Sequence, residues 1–506
     1  MKEEKQRYPG PAIYGQLVNR VAKGGGIVFI GKIIGKGAKF ALQVLLSRVL
    51  GTRDYGLYAL GFSITSIIGT FSMMGLHSGV VRYGALYRGV GDISRTKGTF
   101  LSAIVISTIS SIVGSIVLFI LAEPISVGLF HKPGLVNIVR VFSFSLPFYV
   151  LMVVLQYCAR ALQRMQYDVS IRDIFQPLSN LALVSLLFLF GFGLSGAVSG
   201  FIGSVALSVI LGFFLLQRAF PEILGDFSPS YQVRALLRFS LPVFIIEFLS
   251  FLLIQTDKVM LGYFRSAEEV GIYNAAFVVS VQLGLFLVSF NAIFAPLTAD
   301  LYNRGKIEEL DRLYKVTTRW IFSLTFPLFL ILSLFSREIM ALFGPGFSIG
   351  GTALIVLSWG QLIDAGVGST GTILQMSGKQ DIDSLNTVFA FLLNVALNFW
   401  FVKAYGILGA ALATGISITL INVARLIEVY KLLKIQPYER KYFKPLISGL
   451  AGVTSVLLIS RFVRSNWVVL SGILLCVYVT SLLLLGLGDE DKVVLRSVRH
   501  RLGIGL

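Results

Sequence analysis

The sequence predicts an all-α protein that crosses a membrane many times. Of its 506 residues, 55% are hydrophobic and only 14% are charged, and the mean hydropathy is +0.80. Soluble domains contain about 25% charged residues, so a soluble multidomain protein is excluded. Two cysteines (Cys158, Cys476) and three histidines are too few for a disulfide framework or for a cysteine or histidine metal cluster.

Apolar stretches recur along the whole chain. A helix needs about 20 mostly apolar residues to cross the hydrocarbon core, and this length predicts about 14 transmembrane helices. The segment before them is polar and contains Pro9 and Pro11, so we expect no cleavable signal peptide. The predicted spans are residues 24–49, 55–77, 98–121, 139–158, 173–192, 194–216, 236–256, 271–296, 318–336, 351–375, 385–403, 406–427, 445–462 and 466–487.

An internal duplication organises these spans. Three pairs of anchors lie about 213 residues apart, a period that predicts two parallel six-helix bundles followed by two further helices. The alternative is that small-residue motifs recur at helix ends because packing demands them. The anchors are Leu50-Gly51 with Tyr55-Gly56-Leu57-Tyr58 against Leu261-Gly262 with Val270-Gly271-Ile272-Tyr273, Leu86-Tyr87 against Leu301-Tyr302, and Gly193–Ala197 against Gly406–Ala410.

The duplication and the hydropathy together predict the domain boundaries. Each bundle contains an even number of spans, so both halves should have the same orientation in the membrane. The predicted segments are a cytoplasmic N-terminal segment (1–23), the N-terminal bundle (24–216), a cytoplasmic linker (217–235), the C-terminal bundle (236–430), helices 13 and 14 (445–487) and a basic cytoplasmic tail (488–506).

The formal net charge of +18 follows the predicted topology. With the N-terminus inside, only nine of the 44 lysines and arginines fall on outward segments. The positive-inside rule therefore places both termini in the cytoplasm. The charge is explained by topology and anionic lipid at a cell membrane, so no nucleic-acid partner is expected.

Three lysines on one face of the first span are costly in a membrane. Lys32, Lys36 and Lys39 share a narrow helical stripe with Gln43 and Ser47. Each lysine costs roughly 2.5–3.5 kcal/mol near the bilayer centre, so the stripe should line water or bind an anion. The alternative, extension of the side chain to the cytoplasmic surface, suits Lys32 alone.

Further polar residues suggest ion coupling by Na⁺ or H⁺. Glu247 lies at the middle of span 7, and Asn394 and Asn398 lie one turn apart on span 11, with Thr414 on span 12. Carboxylate, amide and hydroxyl oxygens suit a hard cation. Pairing of Glu247 with a lysine of span 1 and hydrogen bonding between helices by the asparagines are the alternatives. We expect no other metal and no organic cofactor.

Signs of enzyme chemistry are weak. The chain contains no Gly-x-x-x-x-Gly-Lys-Ser/Thr run for nucleotide phosphates. The predicted outward loops are too short for a catalytic domain and contain no paired carboxylates or His/Asp arrangement. A transporter is therefore predicted, and a membrane glycan polymerase or ligase is the rival from another class.

The motifs at the helix ends resemble one known family. The run Leu45–Tyr58, which contains Arg48, Gly51, Arg53, Asp54 and Gly56, is similar to the signature of the polysaccharide-biosynthesis (Wzx-like) flippases of the MOP superfamily. These proteins are relatives of MurJ-type flippases and MATE exporters. The run Gln255–Gly262, which contains Asp257, Lys258 and Gly262 and precedes Gly271, resembles the matching signature in the second half.

This resemblance implies a mechanism and a set of binding residues. It implies two bundles in a V around a cationic cavity, alternating access, and a lipid-linked oligosaccharide whose phosphates meet the lysines. It also implies a monomer in contact with membrane lipids, and a Na⁺ site at Asn394, Asn398, the backbone of Ala410 and Thr414. An acid is expected where this chain has Asn398, and Glu247 is the provisional acid from span 7. A MATE-like exporter of small cations remains the rival of the same fold.

Overall fold

The computed structural model describes the backbone of residues 11–462 and 466–486, and the side chains of residues 31, 33–461 and 466–486. Within these ranges all regular structure is helical, which confirms the all-α prediction. The α-helices are α1 (Pro11–Met73), α2 (Leu76–Gly89), α3 (Ile93–Glu123), α4 (Leu135–Ser143), α5 (Ser145–Ala161), α6 (Met165–Val169), α7 (Gln176–Leu189), α8 (Gly193–Ala219), α9 (Val233–Phe264), α10 (Ala267–Ser280), α11 (Leu285–Asn303), α12 (Ile307–Leu334), α13 (Ser336–Ala341), α14 (Gly351–Val367), α15 (Thr370–Met376), α16 (Gln380–Tyr405), α17 (Ile407–Leu433), α18 (Lys444–Phe462) and α19 (Trp467–Leu484).

The described residues contain eleven helical segments long and apolar enough to cross a membrane, or twelve if the bent pair α4 and α5 forms one span. The multi-pass class is thus confirmed, whereas the count of 14 is not. Two causes of the difference are clear. The first two predicted spans, 24–49 and 55–77, meet at a break in helical geometry at Gly51 inside one continuous segment that includes Ile33–Gly89, and predicted span 173–192 corresponds to α7, which has only 14 residues.

The long first segment bends at the predicted junction between its two spans. Gly51 interrupts α1 with φ 71° and ψ −179°. Positive φ is accessible to glycine because it has no Cβ, whereas most other residues are strained there. The non-helical dihedral angles of this single residue divide α1 into two helices at the junction that the sequence predicted.

The chain divides into two compact units. Unit 1 comprises residues 1–50 and 60–251, and unit 2 comprises residues 51–59 and 252–506. The division falls within α9, so the first half of this helix belongs to unit 1. The predicted bundles therefore remain predictions, and the N-terminal ten residues and the predicted basic tail (488–506) lie outside the described residues.

Two glycines of the repeated motif hold residues 51–59 in unit 2. A Cβ on Gly56 would overlap the carbonyl oxygen of Ala267, and a Cβ on Gly271 would overlap that of Thr52. Small residues permit such close approach of helix backbones. The anchors that indicated a duplication thus pack against each other.

Candidate functional site: a buried carboxylate and a basic cluster

A buried carboxylate, Asp257, forms the centre of a polar cluster in unit 2. Its side chain is 1% exposed and accepts hydrogen bonds from the hydroxyls of Tyr273 and Thr414. It also accepts one from Asn398 Nδ2 at 2.8 Å and a longer one from Asn394 Nδ2 at 3.4 Å. All four donors are neutral. We call these five residues the Asp257 cluster.

Three helices place the donors around this carboxylate. Asn394 and Asn398 lie one turn apart on one face of α16, and Asn398 Nδ2 also donates to Asn394 Oδ1 at 3.1 Å. The chain then turns back sharply at Gly406, whose φ is 56°. α17 approaches α16 closely, since a Cβ on Gly409 would overlap the carbonyl of Phe401. This approach brings Thr414 to the same point.

The Asp257 cluster offers the oxygen atoms that a hard cation prefers. A carboxylate, two amide oxygens and a hydroxyl converge in it, and Asn398 Oδ1 is buried without a hydrogen-bond partner among the described residues. An amide that rotates by 180° exchanges its nitrogen for its oxygen, so both asparagines can turn from donors into ligands. Ala410, which is fully buried, lies one turn before Thr414. The residues present therefore fit Na⁺, and the described residues contain no group of three His, Cys, Asp or Glu side chains for another metal.

The structure corrects the acid assigned to this cluster. Glu247 was the provisional acid for this site, but Asp257 is the residue that accepts hydrogen bonds from Asn394, Asn398 and Thr414. Both acids lie on α9, ten residues apart, which is about 15 Å along the helix axis. One helix end cannot present both acids to the same point. Glu247 belongs to unit 1.

Glu247 has its own partners within unit 1. Its Oε1 accepts a hydrogen bond from Ser78 Oγ at 2.7 Å, and its Oε2 lies 3.0 Å from His77 Nε2. The ring of His77 meets Tyr157 edge-on, with centroids 4.7 Å apart. Among the described residues, the partners of Glu247 are therefore His77 and Ser78 and not a lysine of the first span, and ion coupling by Glu247 remains a prediction.

A second charged group in unit 1 contains two of the predicted lysines. Lys39 Nζ lies 4.0 Å from Asp173 Oδ1, with side-chain exposures of 47% and 21%. Lys36 and Arg172 lie close enough to act on the charge of Lys39. We call Lys36, Lys39, Arg172 and Asp173 the basic cluster. Three cations and one carboxylate give it a net charge of +2.

Close packing positions the basic cluster. A Cβ on Gly35 would overlap the carbonyl oxygen of Asp173, so α1 lies directly against the π-helix Ser170–Phe175. Gln43 is half-buried, and Ser47 is buried with its hydroxyl bonded to the carbonyl of Val44 at 2.9 Å. The side chain of Lys32, also predicted to bind substrate, lies outside the described residues.

Sequence reasoning missed several charged residues of unit 1. Arg160 donates to Asp168 at 2.6 Å and lies over the ring of Tyr157 at 4.4 Å. Arg172 and Asp173 were also missed. The available signal was the run of charges Asp168, Arg172 and Asp173 just before an apolar span, where a bilayer-exposed helix should have none.

The remaining motif residues have mixed environments. Arg48 and Arg53 are exposed and Asp54 is half-buried, whereas Gly262 and Gly271 are buried. Lys258 is buried beside Asp257. The predicted helix-end role of these residues remains a prediction, except that Gly51, Gly56 and Gly271 have the backbone conformation or contacts described above.

Two family models and several curated proteins match the sequence of this chain. A model of the polysaccharide biosynthesis protein family matches residues 21–302, and the MatE family model matches residues 242–400. An uncharacterized membrane protein of Methanocaldococcus jannaschii is 22% identical over 446 residues, covering 84% of this chain and 87% of that protein. The "Probable low-salt glycan biosynthesis flippase Agl15" of Haloferax volcanii is 26% identical over 162 residues, which cover 32% of this chain and 34% of that protein.

Solved structures share the fold. The lipid II flippase MurJ in an inward closed conformation aligns with a TM-score of 0.73 at 15% identity, over 90% of this chain and 97% of that one. An inward-facing multidrug resistance MATE family transporter of the MOP superfamily aligns with a TM-score of 0.62 at 18% identity, over 78% and 94%. The first family model covers more than half of the sequence. The chain therefore belongs to the family of polysaccharide biosynthesis proteins, as its helix-end motifs predicted.

Proposed function

We propose that this chain is a flippase that carries a lipid-linked oligosaccharide from the cytoplasmic to the outer leaflet by alternating access. The observation that carries the proposal is the basic cluster, in which Lys39 lies 4.0 Å from Asp173, with Lys36 and Arg172 close to Lys39. The cluster carries more positive than negative charge, and an anionic substrate would offset the excess. The Haloferax relative and the MurJ neighbour are both named as flippases.

The chemistry of the basic cluster suits a phosphate or diphosphate linker. Lys39 and Asp173 are 4.0 Å apart and partly exposed, so their attraction is weak. A phosphate carries more negative charge than one carboxylate and would compete with Asp173 for Lys39. Arg172 would add a planar donor pair that matches phosphate oxygens. The polyprenyl or dolichyl tail would remain in the bilayer.

The Asp257 cluster would couple the transport cycle to the binding of an ion. Na⁺ would be held by Asp257, Asn394, Asn398 and Thr414, with the backbone of Ala410 nearby. A bound ion shifts a conformational equilibrium only by its different affinity for the two states. Na⁺ that binds one state more tightly would therefore bias the return of the empty carrier. Coupling by H⁺ at Glu247 is the alternative.

The proposal also includes the orientation of the chain in the membrane. Both termini would lie in the cytoplasm of a plasma-membrane protein that acts as a monomer surrounded by lipid. The relatives are named as flippases and transporters, which are not enzymes, and no catalytic step is part of the mechanism.

The test is a translocation assay in proteoliposomes with a fluorescent polyprenyl-diphosphate oligosaccharide. Wild type is compared with K36A/K39A and with K379A/K431A, a control that removes two exposed lysines outside the cluster. Loss of translocation only in K36A/K39A supports the proposal. Full activity of K36A/K39A overturns the role of the basic cluster.

The same vesicles test the exporter alternative, which the MatE match over residues 242–400 favours. Loading them with a fluorescent organic cation measures export directly. Cation efflux without lipid translocation would assign the chain to the exporters. Lipid translocation without efflux would exclude that assignment.

A further inference from the structure

Lys258 is a buried lysine that the proposed transport cycle does not use. Its side chain is 6% exposed, and it follows Asp257 directly on α9. Its ammonium lies 5.6 Å from the centroid of the Phe277 ring. Among the described residues it makes no hydrogen bond and no ion pair within 4.0 Å, and its electrostatic partner is the carboxylate of Asp257.

A lysine that is buried without a close ion pair is unfavourable, because its ammonium loses part of its hydration. The face of an aromatic ring compensates only part of that loss. The remaining compensation must come from a negative charge nearby. Asp257 is the adjacent buried acid, and the attraction between two charges extends well beyond 4 Å where water is absent.

Asp257 carries a negative charge that its hydrogen-bond donors do not neutralise. Its hydrogen bonds come from two hydroxyls and two amides, which satisfy its oxygen atoms but leave its charge unneutralised. A cation nearby, either a bound ion or a side chain, stabilises a buried carboxylate further. Lys258, which is adjacent to Asp257 on α9 and also buried, can supply that charge.

We infer that Lys258 is a tethered cation that balances Asp257 when no metal ion is bound and that opposes the ion when it enters. This inference rests on the ion site of the proposed function. With Na⁺ present, one carboxylate faces two cations, so the affinity for Na⁺ is lower than the oxygen ligands alone would give. A weakly held ion can leave, as a transport cycle requires.

The test measures ion binding without transport. The thermal unfolding midpoint of purified protein in nanodiscs is recorded against Na⁺ concentration, with choline keeping the ionic strength constant. The variants are K258M, which keeps the length and removes the charge, and K258R, which keeps the charge. K403M is the matched control, because Lys403 also lies over aromatic rings, 3.7 Å from Phe399, outside the Asp257 cluster.

Three results are expected. K258M lowers the unfolding midpoint in choline, since Asp257 loses its cation. K258M also shifts the Na⁺ response to lower concentration by about tenfold, because one repulsive unit charge is removed. K258R and K403M respond to Na⁺ as wild type does.

A double variant keeps the inference falsifiable if K258M folds poorly. D257N/K258M removes both charges and should recover part of the midpoint that K258M loses in choline. An unchanged Na⁺ response in K258M, or a K258R that behaves as K258M, overturns the inference. If neither wild type nor any variant responds to a cation, the proposed ion site is wrong. In that case the role of Lys258 is tested by the unfolding midpoint in choline. A D257N/K258M midpoint no higher than that of K258M then overturns this role as well.

Discussion

The basic cluster of unit 1 and the Asp257 cluster of unit 2 differ in how their charged side chains are stabilised. Lys39 and Asp173 are partly exposed and only 4.0 Å apart at the nearest atoms. Asp257 is 1% exposed and surrounded by four short or moderate hydrogen bonds from neutral groups. One group keeps its charges partly exposed and loosely paired, whereas the other buries its carboxylate among the fixed dipoles of hydroxyl and amide groups.

This difference indicates what each group is able to bind. Loosely paired, partly exposed cations can exchange a carboxylate for a large anion at little cost. A buried carboxylate that is surrounded by hydrogen-bond donors can bind only a small ligand, because the ligand must take the place of the donated hydrogens. This requirement favours a bare metal ion. We therefore expect the Asp257 cluster to matter most for stability and the basic cluster to matter most for substrate binding.

The largest expected effect on stability comes from D257A. The substitution leaves Tyr273, Thr414 and Asn398 without their acceptor and Lys258 without a counter-charge, so the free energy of unfolding should fall by about 3 kcal/mol or more. Reversible unfolding in mixed detergent micelles measures this change. D381A, at an exposed acid in the first turn of α16, is the control. Equal effects of the two variants would contradict the contrast between buried and exposed charge.

An intermediate effect is expected within α16. Asn398 donates to Asp257 at 2.8 Å, whereas Asn394 donates at 3.4 Å. N398A should therefore cost about 1–3 kcal/mol of unfolding free energy, and N394A about 1 kcal/mol or less. Comparing the two variants with T414V in the same micelles ranks the three donors. A larger loss in N394A than in N398A would show that the ranking by distance is wrong.

The smallest effect on stability is expected for K36A/K39A, below about 1 kcal/mol, because partly exposed ion pairs contribute little. Its effect on binding should be large. Retention of a polyprenyl diphosphate, measured by fluorescence anisotropy, should fall in K36A/K39A and rise in D173A, which removes the competing carboxylate. Added salt should weaken this binding by screening. Insensitivity to salt and to both variants would place the phosphate elsewhere.

Much of the fold could be predicted from hydropathy alone. Apolar stretches of about 20 residues predicted the helices because no other backbone arrangement satisfies its hydrogen bonds in lipid. The number of spans was less predictable. Two helices meet at Gly51 within one continuous segment, and α7 is shorter than the apolar stretch around it, so the number of separate spans depends on backbone geometry that hydropathy does not show.

The sequence by itself determined which helix faces are polar, since Asn394 and Asn398 share a face of α16 at any helical geometry, as do Lys36 and Lys39 on α1. Only the tertiary structure decided which acid meets the asparagines. Glu247 and Asp257 lie on one helix about 15 Å apart, and hydropathy does not distinguish them. The packing of α9 against α10, α16 and α17 brings Asp257 to its donors. Helix periodicity is a local property of the backbone, whereas the pairing of charges from distant helices depends on how those helices pack.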